Sequence, residues 1–562
     1  MAVTLPMSTP APVPAASSSL PEADASRKEI IYYSLGSLEG GLSGYFFNSL
    51  STLMIVALGM NPVLLGLILA IRTFWDGFID PFIAQMSDKT RTRWGRRRPY
   101  IFVGGFGRLA LLVGIYLLFP QNGHIKSNAE FKSEQTTHQQ AAQAAAAVPP
   151  APPAAESSVA ASVETPPPEA KPAAPAVKKP NPGMIESIRL GIVAFGSDEN
   201  AYHRQVAIYL LVAGLLVATI GSLSDTAYYA LGIELCPSYD GRTRVVTYRS
   251  IVQKAAALIN PWILPFCFLP IFTNIIQGLT WYALACCVIS GPLLWLMLKN
   301  SRERVVITNT KTGPSFFKSI WLTTRNVHFL KILFLYVFIG LTNGIFVQLG
   351  TFLTIYWVFQ GDALAGTTLS GYASTLATVL AFIALPAVNW ACRRLQKHRA
   401  LRFALIWMSV GTALKWILVD PAYPYLQLIL PFFFSIGISS VYTILPSLMA
   451  DVTDIDELQT GARREGMFGA VMSFMTKLLG TLQPLIAGTV LVLAGFDVGL
   501  GAHQTAETIM NMRLMFSIVP AGLLLLALVA LWRYPLTREY MVEVKAKLQA
   551  RRALAAAASV TH

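Results

Sequence analysis

The chain has 562 residues, of which 54% are hydrophobic and 13% are charged, and its formal net charge is +14 at pH 7. Soluble domains contain about 25% charged residues, so this composition excludes an ordinary soluble protein. The basic excess accompanies apolar runs of membrane-spanning length rather than a basic groove lined with aromatic residues, which excludes nucleic acid as a partner.

Apolar segments of spanning length follow one another along most of the chain. They predict an all-α membrane protein of twelve transmembrane helices in two six-helix pseudo-repeats. The predicted spans are 30–58, 62–86, 99–119, 205–235, 246–271 and 274–298, followed by 326–358, 364–391, 401–419, 424–449, 468–495 and 511–533. The predicted domains are a disordered tail (1–28), two helical bundles (29–298 and 326–533), a central loop between them (299–325) and a second tail (534–562).

Lysine and arginine are concentrated in alternate loops. The connections at 89–98 and 393–402 are strongly basic, whereas 59–61 and 420–424 contain neither residue. By the positive-inside rule, the basic loops and both termini face the cytoplasm. The Ala- and Pro-rich stretch 121–202 then lies on the other side, and its composition predicts a disordered insert, with a short interfacial helix at 184–197.

Carboxylates occur inside two of the predicted spans. Asp76 and Asp80 lie one helical turn apart in segment 2, with Arg72 one turn earlier, and Asp225 follows Ser222 by one turn in segment 4. A charge inside the bilayer costs roughly 3 kcal/mol or more and needs a partner or a function. These three acids and Ser222 predict an oxygen cage for a metal cation, Na⁺, or a proton relay. The alternative is internal ion pairing, for instance of Arg72 with Asp76.

Two basic residues are predicted to couple the cation to the substrate. Lys477 lies about ten residues into segment 11, roughly 15 Å along a helix, so its charge must meet a cavity or a carboxylate, and the alternative is a side chain that snorkels to the membrane interface. Arg249 begins segment 5, where it pairs with Asp225 or Asp240 or anchors the helix at the membrane interface.

A polar and aromatic set predicts the substrate site. Glu39 lies in the motif G-S-L-E-G-G-L-S-G, whose small residues allow close helix packing and leave room beside the carboxylate. Sugar rings stack on aromatic planes, and their hydroxyls bond to acids and amides, although packing and interfacial anchoring are the alternative roles of the aromatic residues. The predicted substrate residues are Glu39, Tyr45, Tyr228, Tyr229, Asn343 and Trp357.

The loop after segment 2 reads S-D-K-T-R-T-R-W-G-R-R-R-P. It predicts an inner gate in which Asp88, Arg93, Arg96 and Arg97 contact the second helical bundle, and the alternative role of this loop is to set topology alone.

Three motifs give the chain a family resemblance. They are D-G-F-I-D-P at 76–81 with the basic loop that follows, D-T-A-Y-Y-A-L-G-I-E-L at 225–235, and M-A-D-V-T-D-I-D-E-L-Q-T-G-A-R-R-E-G at 449–466. With them, the chain resembles the glycoside–pentoside–hexuronide:cation symporters of the major facilitator superfamily, which include melibiose permease. The resemblance implies the major facilitator fold, a bacterial inner-membrane location, and family roles for the cation-site acids, Ser222, Lys477 and Arg249.

The chain departs from the family pattern at three positions. Ile79 replaces the asparagine before the second helix-2 acid, Gly41 replaces the helix-1 acid that binds galactosides, and Tyr229 replaces the stacking tryptophan. The loop from Arg93 to Pro99 is also similar to that of plant sucrose–proton carriers, so either Na⁺ or H⁺ is allowed as the coupling ion.

These patterns predict a monomeric secondary active transporter that moves a glycoside or small oligosaccharide with Na⁺ or H⁺ by alternating access. Its predicted partners are the sugar and the lipid bilayer, with no cofactor beyond the coupling ion and no enzyme activity. The alternatives are a carrier of the same fold for a lysolipid or another non-sugar solute, a membrane-embedded prenyltransferase-type enzyme, and a sensor that no longer transports.

Overall fold

The computed structural model describes residues 24–120, 127–130, 133, 201–236, 239–301, 303, 325–460, 465–497, 500, 503–531 and 537–560. Nearly all of the insert at 121–202, the predicted interfacial helix at 184–197 and most of the central loop lie outside these residues. Within them, the regular elements are helices, and a single isolated β-bridge joins Ser127 to Asn274. The predicted all-α class is confirmed.

In the part that the structure describes, the first bundle contains eight long or short α-helices. They are α1 (Arg27–Leu35), α2 (Ser37–Leu58), α3 (Pro62–Lys89), α4 (Arg98–Leu117), α5 (Ala201–Leu235), α6 (Tyr239–Ile259), the short α7 (Ile263–Cys267) and α8 (Ile275–Asn300). Ser26 caps α1 and exchanges hydrogen bonds with Glu29, so residues that the sequence places in the disordered tail already belong to the first helix.

The second bundle follows the same plan. Its helices are α9 (Val327–Leu353, continued by a π-helical turn at Thr354–Val358), α10 (Ala363–Leu395), α11 (Lys397–Leu418), α12 (Leu430–Thr460), α13 (Glu465–Leu493) and α14 (Ala506–Ala530). A last helix, α15 (Arg538–Val560), lies in the region predicted only as a tail. It packs Met541, Val544 and Leu548 into the core of the second bundle.

Capping chemistry fixes the short connection between α2 and α3. Gly59 ends α2 in the left-handed conformation, at φ 65°, which glycine adopts without a Cβ clash. Asn61 then accepts hydrogen bonds from the backbone N–H groups of Val63 (2.9 Å) and Leu64 (3.3 Å), and Pro62 opens α3. This turn starts the helix that holds Asp76 and Asp80.

Ten helices of the described part of the chain are long and apolar enough to cross a membrane. The predicted count of twelve is therefore not confirmed, although helices occupy the two remaining positions. Gly36 separates α1 from α2 in the first predicted span. In the fifth, α6 contains Arg249 and Lys254, and a 3₁₀ turn at Asn260–Trp262 follows it. The charges of α6 make this helix less apolar than the spanning helices.

The apolar core has different connectivity at the two ends of the molecule. We call the end with the loops 89–98 and 393–402 the basic end. At the opposite end, one hydrophobic cluster contains residues of both bundles, among them Leu65 of α3, Phe352 of α9 and Leu491 of α13. At the basic end, the cores form separate clusters, one around Tyr33 in the first bundle and one around Phe329 in the second. The bundles are therefore joined at the opposite end.

Close contacts between α3 and α13 seal this opposite end. The α-carbon of Gly66 lies so near the backbone of Pro484 that an added Cβ would be 2.6 Å from the Pro484 carbonyl oxygen. Gly488 packs in the same way against the Pro62 backbone. A third tie is a hydrogen bond from Trp262 Nε1 to Thr375 Oγ1 of α10 (3.1 Å). Glycine allows the two bundles to approach at backbone distance here.

Candidate cation and substrate site

A serine hydroxyl brings the two acids of α3 together. Ser222 Oγ of α5 lies 3.0 Å from Asp76 Oδ1 and 2.6 Å from Asp80 Oδ1, and Thr226 Oγ1 lies 3.5 Å from the same Asp80 atom. A hydroxyl has one proton and can donate to only one carboxylate at a time. The arrangement therefore has an excess of acceptor oxygens, which a small cation or an additional proton can satisfy.

Lys477 of α13 reaches this site from the second bundle. Its ammonium group forms an ion pair with Asp80 and lies 3.9 Å from Asp76 Oδ2. About a third of each of these side chains is exposed. This ion pair connects the two bundles. It is consistent with the prediction that Lys477 needs a carboxylate partner.

Asp225 has a different partner from the one predicted. Its carboxylate receives two hydrogen bonds from Arg108 of α4, from Nη1 (2.8 Å) and Nη2 (3.1 Å). Asp76, Asp80 and Ser222 thus come together, whereas Asp225 joins a neighbouring charge cluster one helical turn along α5. Among the residues that the structure describes, no group of three acid, histidine or cysteine side chains forms a metal-ligand set.

Arg108 is the central residue of that neighbouring cluster. Besides Asp225, it binds Glu39 of α2, with Nε donating to Oε1 (2.6 Å) and Nη2 donating to Oε2. The side chains of Arg108 and Glu39 are 7% and 2% exposed, so this is a buried ion pair. The sequence prediction missed Arg108, although an arginine within the apolar stretch F-G-R-L-A-L-L is itself a signal of an internal partner.

A cavity of about 440 Å³ in the first bundle adjoins this cluster. It brings together three predicted substrate residues, Glu39, Tyr228 and Tyr229, with Asp225 and the unpredicted Lys254. Tyr228 is buried and stacks on Tyr33 with ring centroids 4.4 Å apart, so it forms a wall of the cavity.

Tyr229 is more accessible than Tyr228. Its side chain is 48% exposed, and Arg249 lies over its ring with the guanidinium carbon 4.6 Å from the centroid. Arg249, which was predicted to pair with an acid or to anchor its helix, thus makes a cation–π contact.

The remaining predicted substrate residues lie elsewhere. Asn343 lines a second cavity, of about 230 Å³, inside the second bundle together with Phe346, Phe434 and Phe516. Trp357 lies in the π-helical turn, where Arg513 packs over its ring at 5.2 Å. The side chain of Tyr45 lies outside the described residues.

The three phenyl rings of the second cavity also enclose a buried lysine. Lys415 of α11 is 1% exposed, and its Nζ lies 4.0 Å from the Phe516 centroid, 4.5 Å from Phe346 and 4.7 Å from Phe434. It donates a hydrogen bond to the Phe516 carbonyl oxygen (3.2 Å). Cation–π contacts of this kind stabilise a desolvated ammonium group. Sequence reasoning missed this residue as well.

The predicted gate residues pair within the first bundle. Arg97 contacts Asp88 Oδ1 (2.5 Å) and Glu234 Oε1 (3.2 Å), and Arg96 contacts the same Glu234 oxygen (2.6 Å). The backbone N–H groups of Arg96 and Arg97 donate to Glu303, at 2.9 and 2.6 Å, whereas Arg93 is exposed. In this conformation the loop is therefore fixed to α5 and to the end of α8, and its contact with the second bundle stays a prediction.

We expect Glu234→Gln to lower the free energy of unfolding by roughly 3 kcal/mol, because it leaves buried Arg96 and Arg97 without their shared carboxylate. Equilibrium unfolding in mixed micelles measures this loss. The matched control is Glu543→Gln, which removes an exposed pair with Lys547 and should cost less than about 1 kcal/mol. Equal effects of the two substitutions would contradict the buried role.

The long apolar helices and the internal charges at the contact between two bundles define a polytopic membrane transporter. Residues 43–128 and 190–538 match the MFS/sugar transport protein family, and the chain belongs to this family. The predicted recognition is confirmed at this level.

Individual relatives are distant. An uncharacterized symporter of Synechocystis sp. is 24% identical over 88% of this chain and 91% of its own length. The isoprimeverose transporter of Lactiplantibacillus pentosus is 22% identical over 54% of this chain and 64% of its own length. Among solved structures, a bacterial homologue of the iron transporter ferroportin in an inward-facing state superposes with a TM-score of 0.53, at 14% identity, over 91% of this chain and 99% of that one. This last likeness shows the fold.

Proposed function

We propose that the protein is a symporter that moves a glycoside or small oligosaccharide together with one monovalent cation, Na⁺ or H⁺. The observation that carries this proposal is the cation cage, which we define as Asp76, Asp80 and Ser222 with Lys477. Its oxygens belong to the first bundle and its ammonium group to the second. A cation that enters the cage competes with Lys477 for Asp80 and thus acts on the contact between the bundles.

The charge of the connected cluster supports a single coupling ion. Among the side chains that ion pairs or electrostatic contacts join, four carboxylates, those of Glu39, Asp76, Asp80 and Asp225, stand against three cationic side chains, and Lys254 of the cavity wall is not part of this joined set. The cations are Arg72, Arg108 and Lys477. One negative charge is left over, and an uncompensated charge at membrane depth is costly. One Na⁺ or one proton neutralises it.

The cavity beside the Arg108 cluster is the proposed sugar site. Its volume of about 440 Å³ is within the range of small-molecule sites. Tyr229 offers a half-exposed ring for a sugar face, while Asp225 and Lys254 offer partners for hydroxyl groups. The membership in a sugar transport family and the named sugar substrate of one relative support this class of substrate.

Coupling follows from thermodynamic linkage. Asp225 and Ser222 are one turn apart on α5, so the sugar cavity and the cation cage share a helix. If cation binding orders this helix for sugar, sugar raises the affinity for the cation by the same factor. We assign the basic end to the cytoplasm by the positive-inside rule. Inward movement of one positive charge at 100 mV then supplies about 2.3 kcal/mol, or about fifty-fold accumulation.

We test the proposal by uptake of labelled pentosides, glycosides and hexuronides into membrane vesicles with an imposed Na⁺ or pH gradient. We expect at least one sugar to accumulate with one of the two gradients, and accumulation to stop when that gradient is dissipated. The control vesicles contain Asp420→Asn, whose exposed carboxylate lies in a connecting loop and accepts a hydrogen bond from Ala422 N–H. Sugar uptake that is the same with and without either gradient would exclude symport.

A further inference from the structure

A third cavity, lined by charged residues, lies at the basic end of the second bundle, away from the cation cage. It measures about 450 Å³ and lies where α10 ends, α11 begins and the last helix, α15, packs. Its lining contains four lysine or arginine residues, one histidine and one aspartate. They are Arg393, Lys397, His398, Arg538, Lys545 and Asp451.

The charge of this cavity is only partly compensated. Lys397 Nζ forms an ion pair with Asp451 Oδ2 at 2.6 Å. Arg393 and Lys545, by contrast, make no hydrogen bond or ion pair to any residue that the structure describes. They come from two different helices, α10 and α15, and line the same space. A cavity of this kind has the donors that an anion with several oxygens requires.

The surface that leads to the cavity is apolar. Ile383 and Trp390 of α10 are 64% and 63% exposed and lie seven residues apart, so they share one face of the helix. Arg393 follows Trp390 by one turn, and Val542 of α15, 64% exposed, lines the cavity itself. Along α10 the order is therefore aliphatic side chain, tryptophan, arginine, which matches acyl chain, membrane interface and headgroup.

We propose that this cavity binds the phosphate headgroup of an anionic phospholipid, with the acyl chains against the exposed face of α10. Arg393 and Lys545 bind the phosphate oxygens, and the lipid thereby holds α15 to the bundle. Basic pockets between membrane helices on the cytoplasmic side have this chemistry. The proposal does not depend on the identity of the transported solute.

The test is native mass spectrometry of the full chain in detergent, titrated with dioleoyl phosphatidylglycerol or dioleoyl phosphatidylcholine. We expect at least tenfold tighter binding of phosphatidylglycerol, and at least a tenfold loss in Arg393→Gln/Lys545→Gln. Lys545→Gln alone alters an exposed side chain, so it keeps the fold intact and should lose about threefold. The matched control is Lys547→Gln, an exposed lysine of the same helix that pairs with Glu543 outside the cavity, and it should bind as the wild type does.

Three outcomes would overturn the proposal. They are equal binding of the two lipids, unchanged phosphatidylglycerol binding by the Lys545→Gln and double variants, and complete displacement of the lipid by millimolar inorganic phosphate. The last result would assign the cavity to a free phosphate group rather than to a lipid headgroup.

Discussion

Replacing Asp80 by asparagine is expected to abolish concentrative uptake and to leave exchange of sugar across the membrane intact. Asp80 is the ion-pair partner of Lys477 and one of two carboxylates at the Ser222 hydroxyl. Its neutralisation cancels the single surplus negative charge of the cluster, so the loaded cluster no longer needs a cation. The accumulation ratio at 100 mV should fall from about fifty to about one, measured by uptake and by counterflow in the same vesicles.

The Lys477→Gln variant tests whether the effect of Asp80→Asn comes from the cation cage or from a general loss of folding. Lys477→Gln removes the cationic side chain that competes for Asp80, so we expect the apparent affinity for the coupling ion to rise about tenfold and turnover to fall. Asp420→Asn controls for the loss of an acid elsewhere. If Asp80→Asn still concentrates sugar with the same ion dependence, coupling occurs at another site.

Replacement of Arg108 by glutamine is expected to destabilise the first bundle strongly. It leaves the Glu39 carboxylate, 2% exposed, without its cationic partner. Breaking a buried pair in this way costs about 3–5 kcal/mol. Arg108→Lys should recover little, because the guanidinium donates to both Glu39 and Asp225 in a fork that an ammonium group lacks.

A double-mutant cycle identifies the cause. Glu39→Gln removes the stranded charge, so Arg108→Gln/Glu39→Gln should be more stable than Arg108→Gln alone, with a coupling energy of about 2 kcal/mol between the two positions. Unfolding in mixed micelles gives the energies. Arg91→Gln, at an exposed position of the loop after α3, is the control. A cycle that closes with no coupling would show that the pair does not stabilise the fold.

The sequence predicted the parts of the site that a single helix determines. Asp76 and Asp80 share a face because they are four residues apart, and Ser222 was grouped with the acids because it lies one turn before Asp225 on its own helix. The rotation of each helix about its axis, by contrast, depends on packing between helices, which cannot be read from the sequence. For that reason the pairing of Asp225 with Arg108 was not predicted, although Asp225 lies only one turn from Ser222.

The number and the ends of the helices were also predicted only in part. Apolar length predicted the helices, but α6 contains several charged residues, and one of them, Lys254, lines the cavity. The last helix, α15, was missed because its apolar residues, such as Met541 and Val544, alternate with charges over a region that lacks spanning length. Lys415 escaped notice because its partners are aromatic rings from three other helices.

The core is joined at the opposite end and divided at the basic end. This difference affects which end of the empty carrier opens more easily. Opening the opposite end would expose apolar surface that is now shared by both bundles, whereas the described residues of the basic end form no comparable shared core. We therefore expect the unloaded molecule to rest with its basic end open. Under the proposed function, sugar that accumulates on that side would rebind before the empty carrier returns, and we expect uptake to be slowed by its own product.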